Sequence, residues 1–469
     1  MKLTLLKLRK LKRNLKGTKI MDDNIFVKWN DKWPEPSESV ANIIFDTDIG
    51  PDYDDTGVAV MLHNYANKGK VNILAMLCST SAPYGAAYLN LLNIYYGRRD
   101  IPVGTLKSKL DILPTCRDFN FTVNEYAKYE TDILDGFHAR DAVEVYREVL
   151  SAQPDNSVTI LATGMLSNLC DLLKSKPDRC SPLSGVELVA KKVKLVSSMA
   201  GKFPEGKEFN VEKDAPAAQY VVDNWPTPIM FSGFEIGEKI RTGNRLSQTE
   251  ADSPLRGGYH PQMCSWDLTS ALYAVEGLGD YWTAKRGDVK IIDGYNYFTE
   301  NEKDGARAYL VEEMSPEQMA DLFEGYLLEP KKNNPSKTKT YGIDSSDAVK
   351  TGTWNIYKPH SYFHNGSALE SREEQSSLSV TFDGTGISIH GGISPVNGKF
   401  AVYIDGTLEK VIDTYSENTF DSLCLYSNFG LDKKEHSLEI TVLGEKNDKS
   451  SGIGGVIDFF KVVTENENI

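Results

Sequence analysis

The sequence predicts an α/β domain, an open, mostly parallel sheet with helices on both faces, followed by an all-β sandwich domain. Three observations point to this. Between residues 41 and about 300, short apolar β-branched runs alternate with helical spacing of apolar residues. A polar stretch with two prolines and no apolar period begins at Glu329. Beyond it the texture changes to short alternating runs separated by Asp-Gly and Gly-Gly turns. At 469 residues the chain also exceeds the size at which one core stops growing, so two domains are expected on length alone.

The strand candidates of the first domain are residues 43–45, 71–77, 101–104, 158–162, 193–197 and 228–231. Helical spacing covers 56–67, 84–96, 139–150 and 215–224, the last with Asp214 and Pro216 as a start signal. Ligands of such a fold bind beyond the carboxyl ends of the strands, so chemistry is expected in the loops that follow these runs. The second domain has strand candidates at 378–382, 387–390, 400–404, 438–442 and 456–462. The expected division is a basic, partly disordered extension over 1–40, a catalytic domain over 41–329, a linker over 330–344 and a sandwich over 345–465.

Composition narrows the function. The formal charge is −14, and the first twenty residues hold eight Lys or Arg and no acid, which leaves about −22 on the remainder. Nucleic acid is therefore not an expected partner. Five basic residues interrupt the apolar character of residues 3–15, so no signal-peptide core is legible, and no stretch approaches the length of a transmembrane helix. A cytoplasmic location is the expectation, with export or the periplasm as the alternative. Cys78, Cys116, Cys170, Cys180, Cys264 and Cys424 show no paired or zinc-like spacing and are expected to be buried thiols.

The most informative segment follows the first strand. Asp46, Asp48, Asp52, Asp54 and Asp55 make five of ten residues aspartate, between an apolar strand and a helix. Two carboxylates about 4 Å apart repel by roughly 4 kcal/mol at an effective dielectric near 20, so such a cluster calls for a cation, protons or full exposure. Hard carboxylate oxygens without His or Cys favour Ca²⁺ or Mg²⁺. A strand ending in Asp-x-Asp also opens haloacid-dehalogenase-like phosphatases, in which Asp46 would be the nucleophile. Those enzymes place their second acidic pair late in the domain, whereas Asp54 and Asp55 come at once.

This loop resembles the signature of the inosine-uridine-preferring nucleoside hydrolase family, Asp-x-Asp-x-Gly-x-Asp-Asp. Three further motifs occur in family order: Thr163-Gly164-Met165-Leu166-Ser167-Asn168-Leu169, Glu208-Phe209-Asn210, and Trp266-Asp267 at the head of an apolar helix. The resemblance implies Ca²⁺-dependent hydrolysis of the N-glycosidic bond of ribonucleosides. It implies Asp48, Asp55 and Asp267 as carboxylate ligands of Ca²⁺, Ser167 as a backbone-carbonyl ligand, and Asp54 as the base that takes a proton from water. Glu208 and Asn210 would hold ribose hydroxyls, and Asp267 lies beside the substrate. Trp266 would stack on the leaving group, which favours purine nucleosides.

Two departures from the pattern stand out. Two residues are added ahead of Asp54-Asp55, which makes Asp52 a rival for the base. Ser81 and Lys202 replace substrate-facing asparagines, so the preferred substrate is open to being a different N-glycoside, and a binding protein that has lost turnover is the alternative. The second domain resembles the galactose-binding-like modules appended to secreted bacterial glycosidases. A glycan on that module, with Trp354, Tyr357, Tyr362 and Tyr426 as stacking candidates, and a homo-oligomer are further expectations.

Overall fold

The computed structural model describes Trp33, Pro34 and residues 40–465, except for 51, 110, 113–128, 130, 132, 246–253, 256–258, 328–336, 344–347, 358–362, 364–365 and 418. Most of the expected basic extension and of the linker therefore lies outside the described residues. Trp33 is an exception, because its indole N–H donates to the Tyr273 hydroxyl at 2.9 Å and its ring lies under Arg286.

The first domain is built on an 11-stranded mixed sheet. Its strands in chain order are β1 (Ala41–Thr47), β2 (Val71–Cys78), β3 (Val103–Thr105), β4 (Arg140–Asp141), β5 (Val158–Ala162), β6 (Val193–Met199), β7 (Glu205–Lys207) and β8 (Ile229–Ser232). A small separate ribbon, β9 (Arg241–Thr242) with β10 (Met263–Cys264), precedes β11 (Trp282–Ile292), β12 (Tyr295–Glu300) and β13 (Arg307–Glu312). The helices are α1 (Asp54–Asn67), α2 (Gly85–Tyr95), α3 (Ala142–Ala152), α4 (Ser167–Lys174), α5 (Gly185–Lys192), α6 (Phe209–Lys213), α7 (Ala215–Asn224), α8 (Phe234–Gly237), α9 (Trp266–Glu276) and α10 (Pro316–Tyr326).

The sheet order is β4-β3-β2-β1-β5-β6-β8-β13-β11-β12-β7, parallel from β4 to β13 and antiparallel thereafter. Each parallel strand is covered on both faces, which is why Ile43, Ile44 and Phe45 are all fully buried and the runs read as continuous apolar segments. One core lies under α1, α2, α9 and α10, and the other under α3, α4, α5 and α7. The antiparallel extension was not legible, because β11 and β12 carry the half-exposed pattern of a hairpin rather than the runs of a buried strand.

Strand β1 pairs with β2 on one side and β5 on the other, and the chain reverses its direction of sheet growth between them. The loops after β1 and β5 thus flank a topological switch point, where open α/β sheets form their crevice. The expected start of α7 is present, with Asp214 accepting from the Ala217 N–H.

The C-terminal region forms two antiparallel sheets. Its strands are β14 (Lys337–Gly342), β15 (Ala348–Thr351), β16 (Asn355–Tyr357), β17 (Ala368–Ser371), β18 (Ser377–Gly384), β19 (Gly386–Ile393), β20 (Lys399–Ile404), β21 (Thr407–Asp413), β22 (Phe420–Asn428), β23 (Lys434–Val442) and β24 (Gly455–Glu465). One sheet runs β16-β17-β24-β19-β22 with β14 also on β24, and the other runs β15-β18-β23-β20-β21. The linker expected over 330–344 is shorter than its composition suggests, because β14 pairs with β24 through backbone bonds that its polar side chains do not reveal. The turn Asp405-Gly406 holds both residues at positive φ, 51° and 75°, as a tight two-residue hairpin between β20 and β21 requires.

Cys78, Cys170, Cys264 and Cys424 are buried free thiols and Cys180 is partly exposed, while Cys116 lies outside the described residues. Among the described residues no helix is long and apolar enough to cross a membrane.

Candidate active site

At the carboxyl end of β1 the chain turns through Gly50, whose φ of 142° favours glycine, and enters α1 with Asp54 and Asp55 in its first turn. The neighbouring loop after β5 approaches so closely that a Cβ on Gly164 would lie 2.5 Å from the Asp48 backbone nitrogen and 2.4 Å from Ser79 Oγ. Glycine is thus required where the two crevice loops meet.

Asp54, Asp55 and Asp267 converge, each offering an oxygen within 4.8 Å of the others, and all three are buried. Asp267 enters from the first turn of α9, and its backbone N–H donates to Asp54 Oδ2 at 2.9 Å. Asp55 Oδ1 accepts from Thr47 Oγ1 and, at 3.0 Å, from Thr163 Oγ1. Asp55 Oδ2 is buried with no hydrogen-bond partner. These carboxyls line one pocket with Asp48, Asp52, Glu208, Asn210, Phe209, Phe234 and Trp266, and no Lys, Arg or His is among its lining residues.

The electrostatics follow from burial without a counter-cation. Burial first, and then the charges of Asp55, Asp52, Asp54 and Glu208, push the Asp48 carboxyl well above the usual carboxylate range. Burial and neighbouring aspartates do the same to Asp54 and Asp267. Asp55 is raised to about 7 by burial, against hydrogen bonds that favour its charged form. An orphaned carboxylate oxygen inside an all-oxygen acidic triad fits a hard divalent cation, which would neutralise the cluster.

Asp46 has a different place. Its carboxyl is 1% exposed and accepts from the Tyr146 hydroxyl at 2.7 Å and Asn168 Nδ2 at 3.0 Å, and it does not line the pocket. The phosphatase alternative, which needs Asp46 as an open nucleophile, is at odds with this. Asn168 also donates to the Cys78 carbonyl, so the pair stitches β1, β2, α3 and α4 together beneath the crevice.

The other sequence-derived residues divide. Glu208 is buried as the N-cap of α6, accepting from the N–H groups of Asn210, Val211 and Gly201, and burial lifts it to about 7. Asn210 spends its Nδ2 on the Thr163 and Met199 carbonyls, which leaves Oδ1 as the group it can present. The Trp266 ring stacks on Phe234 at 5.5 Å, and its buried Nε1–H has no acceptor among the described residues.

Ser167 opens α4, where its hydroxyl donates at 2.5 Å to Asp214 Oδ2, which also pairs with Lys109. It is not a lining residue of the pocket. Ser81 is turned away: its hydroxyl donates to the Ile112 carbonyl, and it lines a separate cavity. Lys202 is likewise absent from the lining and lies with Nζ 5.3 Å from the Phe234 ring centroid. Sequence reasoning missed Phe234 and Phe209 as lining residues, and a lone Phe carries no signal that separates a pocket wall from a core.

The family model for the inosine-uridine preferring nucleoside hydrolases matches residues 43–312, more than half of the chain and every element that reaches this pocket. The chain belongs to that family. Its first domain is therefore a nucleoside hydrolase domain, and the protein is a hydrolase. Among solved structures it is similar to a plant nucleoside hydrolase at 19% identity, covering 62% of this chain and 99% of the other with a TM-score of 0.48. It is similar to the inosine-uridine preferring nucleoside hydrolase of Bacillus anthracis at 19% identity, covering 61% and 98% with a TM-score of 0.47. A type III effector protein, XopQ, solved with adenosine diphosphate ribose, aligns at 12% identity over 62% and 94% with a TM-score of 0.49. No curated protein matches this nucleoside hydrolase homologue.

Proposed function

We propose that the protein hydrolyses the N-glycosidic bond of purine ribonucleosides, with Ca²⁺ as its ion. The observation that carries this is the convergence of Asp54, Asp55 and Asp267 at one end of a pocket that also holds the stacked Phe234 and Trp266. Such an arrangement suits a substrate with a polar sugar and a flat leaving group.

Asp54, Asp55 and Asp267 would hold the ion, with the Ser167 carbonyl as a further oxygen donor. When bound, a divalent cation neutralises the triad and acidifies water. The base is assigned to Asp48. It is buried and lines the pocket, and among the described residues its carboxylate has no hydrogen-bond partner, whereas one oxygen of Asp54 is held by the Asp267 N–H. This exchanges the roles that the family resemblance implied for the two residues, and Asp52 at the rim is the remaining rival.

Asn210 Oδ1 and the Glu208 carboxylate accept from ribose hydroxyls, which fixes the sugar as positive charge develops on it. Trp266 would stack on the purine, and its Nε1–H, which has no acceptor among the described residues, would donate to the departing base. Incubation with a nucleoside panel and Ca²⁺ should release free purine and ribose. Tight nucleoside binding with no base release at any enzyme concentration would refute turnover and favour a binding protein.

A further inference from the structure

A second cavity, of about 330 Å³, lies at the seam of the two domains. Its α/β wall is Ser81, Asp135, Phe137 and His138, and its sandwich wall includes Ile393, Ile412 and Phe420. The volume falls at the small end of the range for small-molecule sites, about 300 to 1,000 Å³, and domain seams are where such sites recur.

On its α/β wall the polar groups chiefly accept, while the sandwich wall adds the Tyr415 and Ser416 side chains. Asp135 is 2% exposed, and its Oδ1 takes the Phe137 N–H at 2.8 Å, the His138 N–H at 3.0 Å and His138 Nδ1 at 2.8 Å. Asp135 Oδ2 has no hydrogen bond among the described residues, and Asp135 is one of the cavity's lining residues. With Nδ1 held by Asp135, Nε2 is the ring nitrogen that His138 has left for a ligand. Ser81 has donated its proton to the Ile112 carbonyl at 2.9 Å, so its oxygen can only accept.

The remaining acids are already compensated. Asp413 accepts from the Tyr415 N–H and from Asn447 Nδ2, each at 3.0 Å, and Glu417 pairs with Lys449 at 3.0 Å. No Lys or Arg is among the lining residues, so an anion is disfavoured, and the compensated carboxylates do not demand a cation. At the mouth, Phe137 is 45% exposed and meets Phe420 edge-on at 5.4 Å, which presents an aromatic face to whatever enters.

We infer that this seam binds a neutral polyhydroxylated ring, a sugar, at a site separate from the nucleoside pocket. Hydroxyl donors meet the acceptor array, and the C–H face of the ring packs on Phe137. The aromatics that sequence suggested for sugar stacking are otherwise engaged: the Trp354 indole donates to the Thr351 and Ser377 carbonyls, Tyr357 packs on Phe363, and the Tyr426 hydroxyl donates to Glu409. Tyr362 lies outside the described residues.

The test uses the full chain with a panel of ribose, xylose, glucose and galactose, read by calorimetry and by thermal shift. At least one sugar should bind and raise the unfolding midpoint, and Phe137→Ala and His138→Ala should each weaken it about tenfold or more. Base release from nucleosides should be unchanged in both variants, and sugar binding should survive Asp48→Asn. Absence of binding by all four sugars overturns the inference. So does binding that persists in both seam variants, binding lost in Asp48→Asn, or capture of spermidine in place of sugar. A protein without hydrolase activity that still binds sugar through Phe137 would leave the seam site standing and refute only the proposed reaction.

Discussion

The backbone N–H of Asp267 donates to the Asp54 carboxylate at 2.9 Å, joining the first turn of α9 to the first turn of α1 across 213 residues of sequence. Two helix N-termini therefore face one group of carboxylates, and both dipoles favour negative charge there. The same contact occupies one oxygen of Asp54 and leaves Asp48 the freer of the two.

Asp48→Asn should lower kcat by about 10² to 10⁴ while leaving KM within a few-fold, as removal of a positioned base does. The unfolding midpoint in chelator should be unchanged or raised, because one of the mutually repelling buried carboxyls is gone. Asp52→Asn should cost less than about tenfold. Reversal of that order in steady-state kinetics would move the base to Asp52.

Ca²⁺ should raise the unfolding midpoint more at about pH 8 than at about pH 5, because its ligands must be deprotonated. Without the ion, burial holds Asp46, Asp55 and Glu208 at about 7, above their ordinary values of 3.8 and 4.5. A carboxyl raised on folding contributes stability fully below its unfolded value, and that contribution is lost as pH rises through about 7. The ion offsets this loss over the same interval. Equal shifts at both pH values, measured by calorimetry with and without chelator, would contradict ion binding at the triad.

Trp266→Ala should raise KM for a purine nucleoside roughly three- to tenfold, the scale of one aromatic contact. Trp266→Phe should restore KM but not kcat if the Nε1–H assists the leaving base. Kinetics on inosine for the three proteins separate stacking from hydrogen bonding.

Gly164→Ala should destabilise the fold by about 1 to 3 kcal/mol, because the new methyl meets Ser79 Oγ and the Asp48 backbone at van der Waals overlap. Activity should fall with it, since the displaced group is the acidic loop. Chemical denaturation and base-release assays provide the two readings.

Arg147 is 2% exposed and bonds Asp178, Ser175 and the carbonyls of Ser181 and Leu183, bracing α3 against the α4–α5 loop. Arg147→Ala should cost about 1 to 3 kcal/mol in denaturant unfolding, because the Ser181 and Leu183 carbonyls lose their donor. The Arg147 hydrogen bond holds the Asp178 carboxyl down at about 2 from 3.8. The pair's contribution is therefore present above about pH 4 and fades as pH falls through about 2.

Much of this was legible in the sequence because it is local. A fully apolar strand such as β1 must be buried on both faces, five aspartates in ten residues require neutralisation, and Asp214 with Pro216 starts a helix wherever the chain then goes. Four motifs in family order supplied the rest of the outline. The antiparallel extension, the strand β14 inside the expected linker and the wall residue Phe234 had no local signature.

Sequence alone determined that an acidic loop follows the first strand of an α/β domain, and that a β-rich region succeeds it. Tertiary structure decided what each acid does. Asp46, two residues before Asp48, meets Tyr146 and Asn168, whereas Asp54 and Asp55 meet Asp267 from a helix far along the chain. It also turned Ser81 toward the domain seam. The physical reason is that residue type fixes charge and hydrogen-bonding capacity, whereas the partner that uses them is set by which distant element packs alongside.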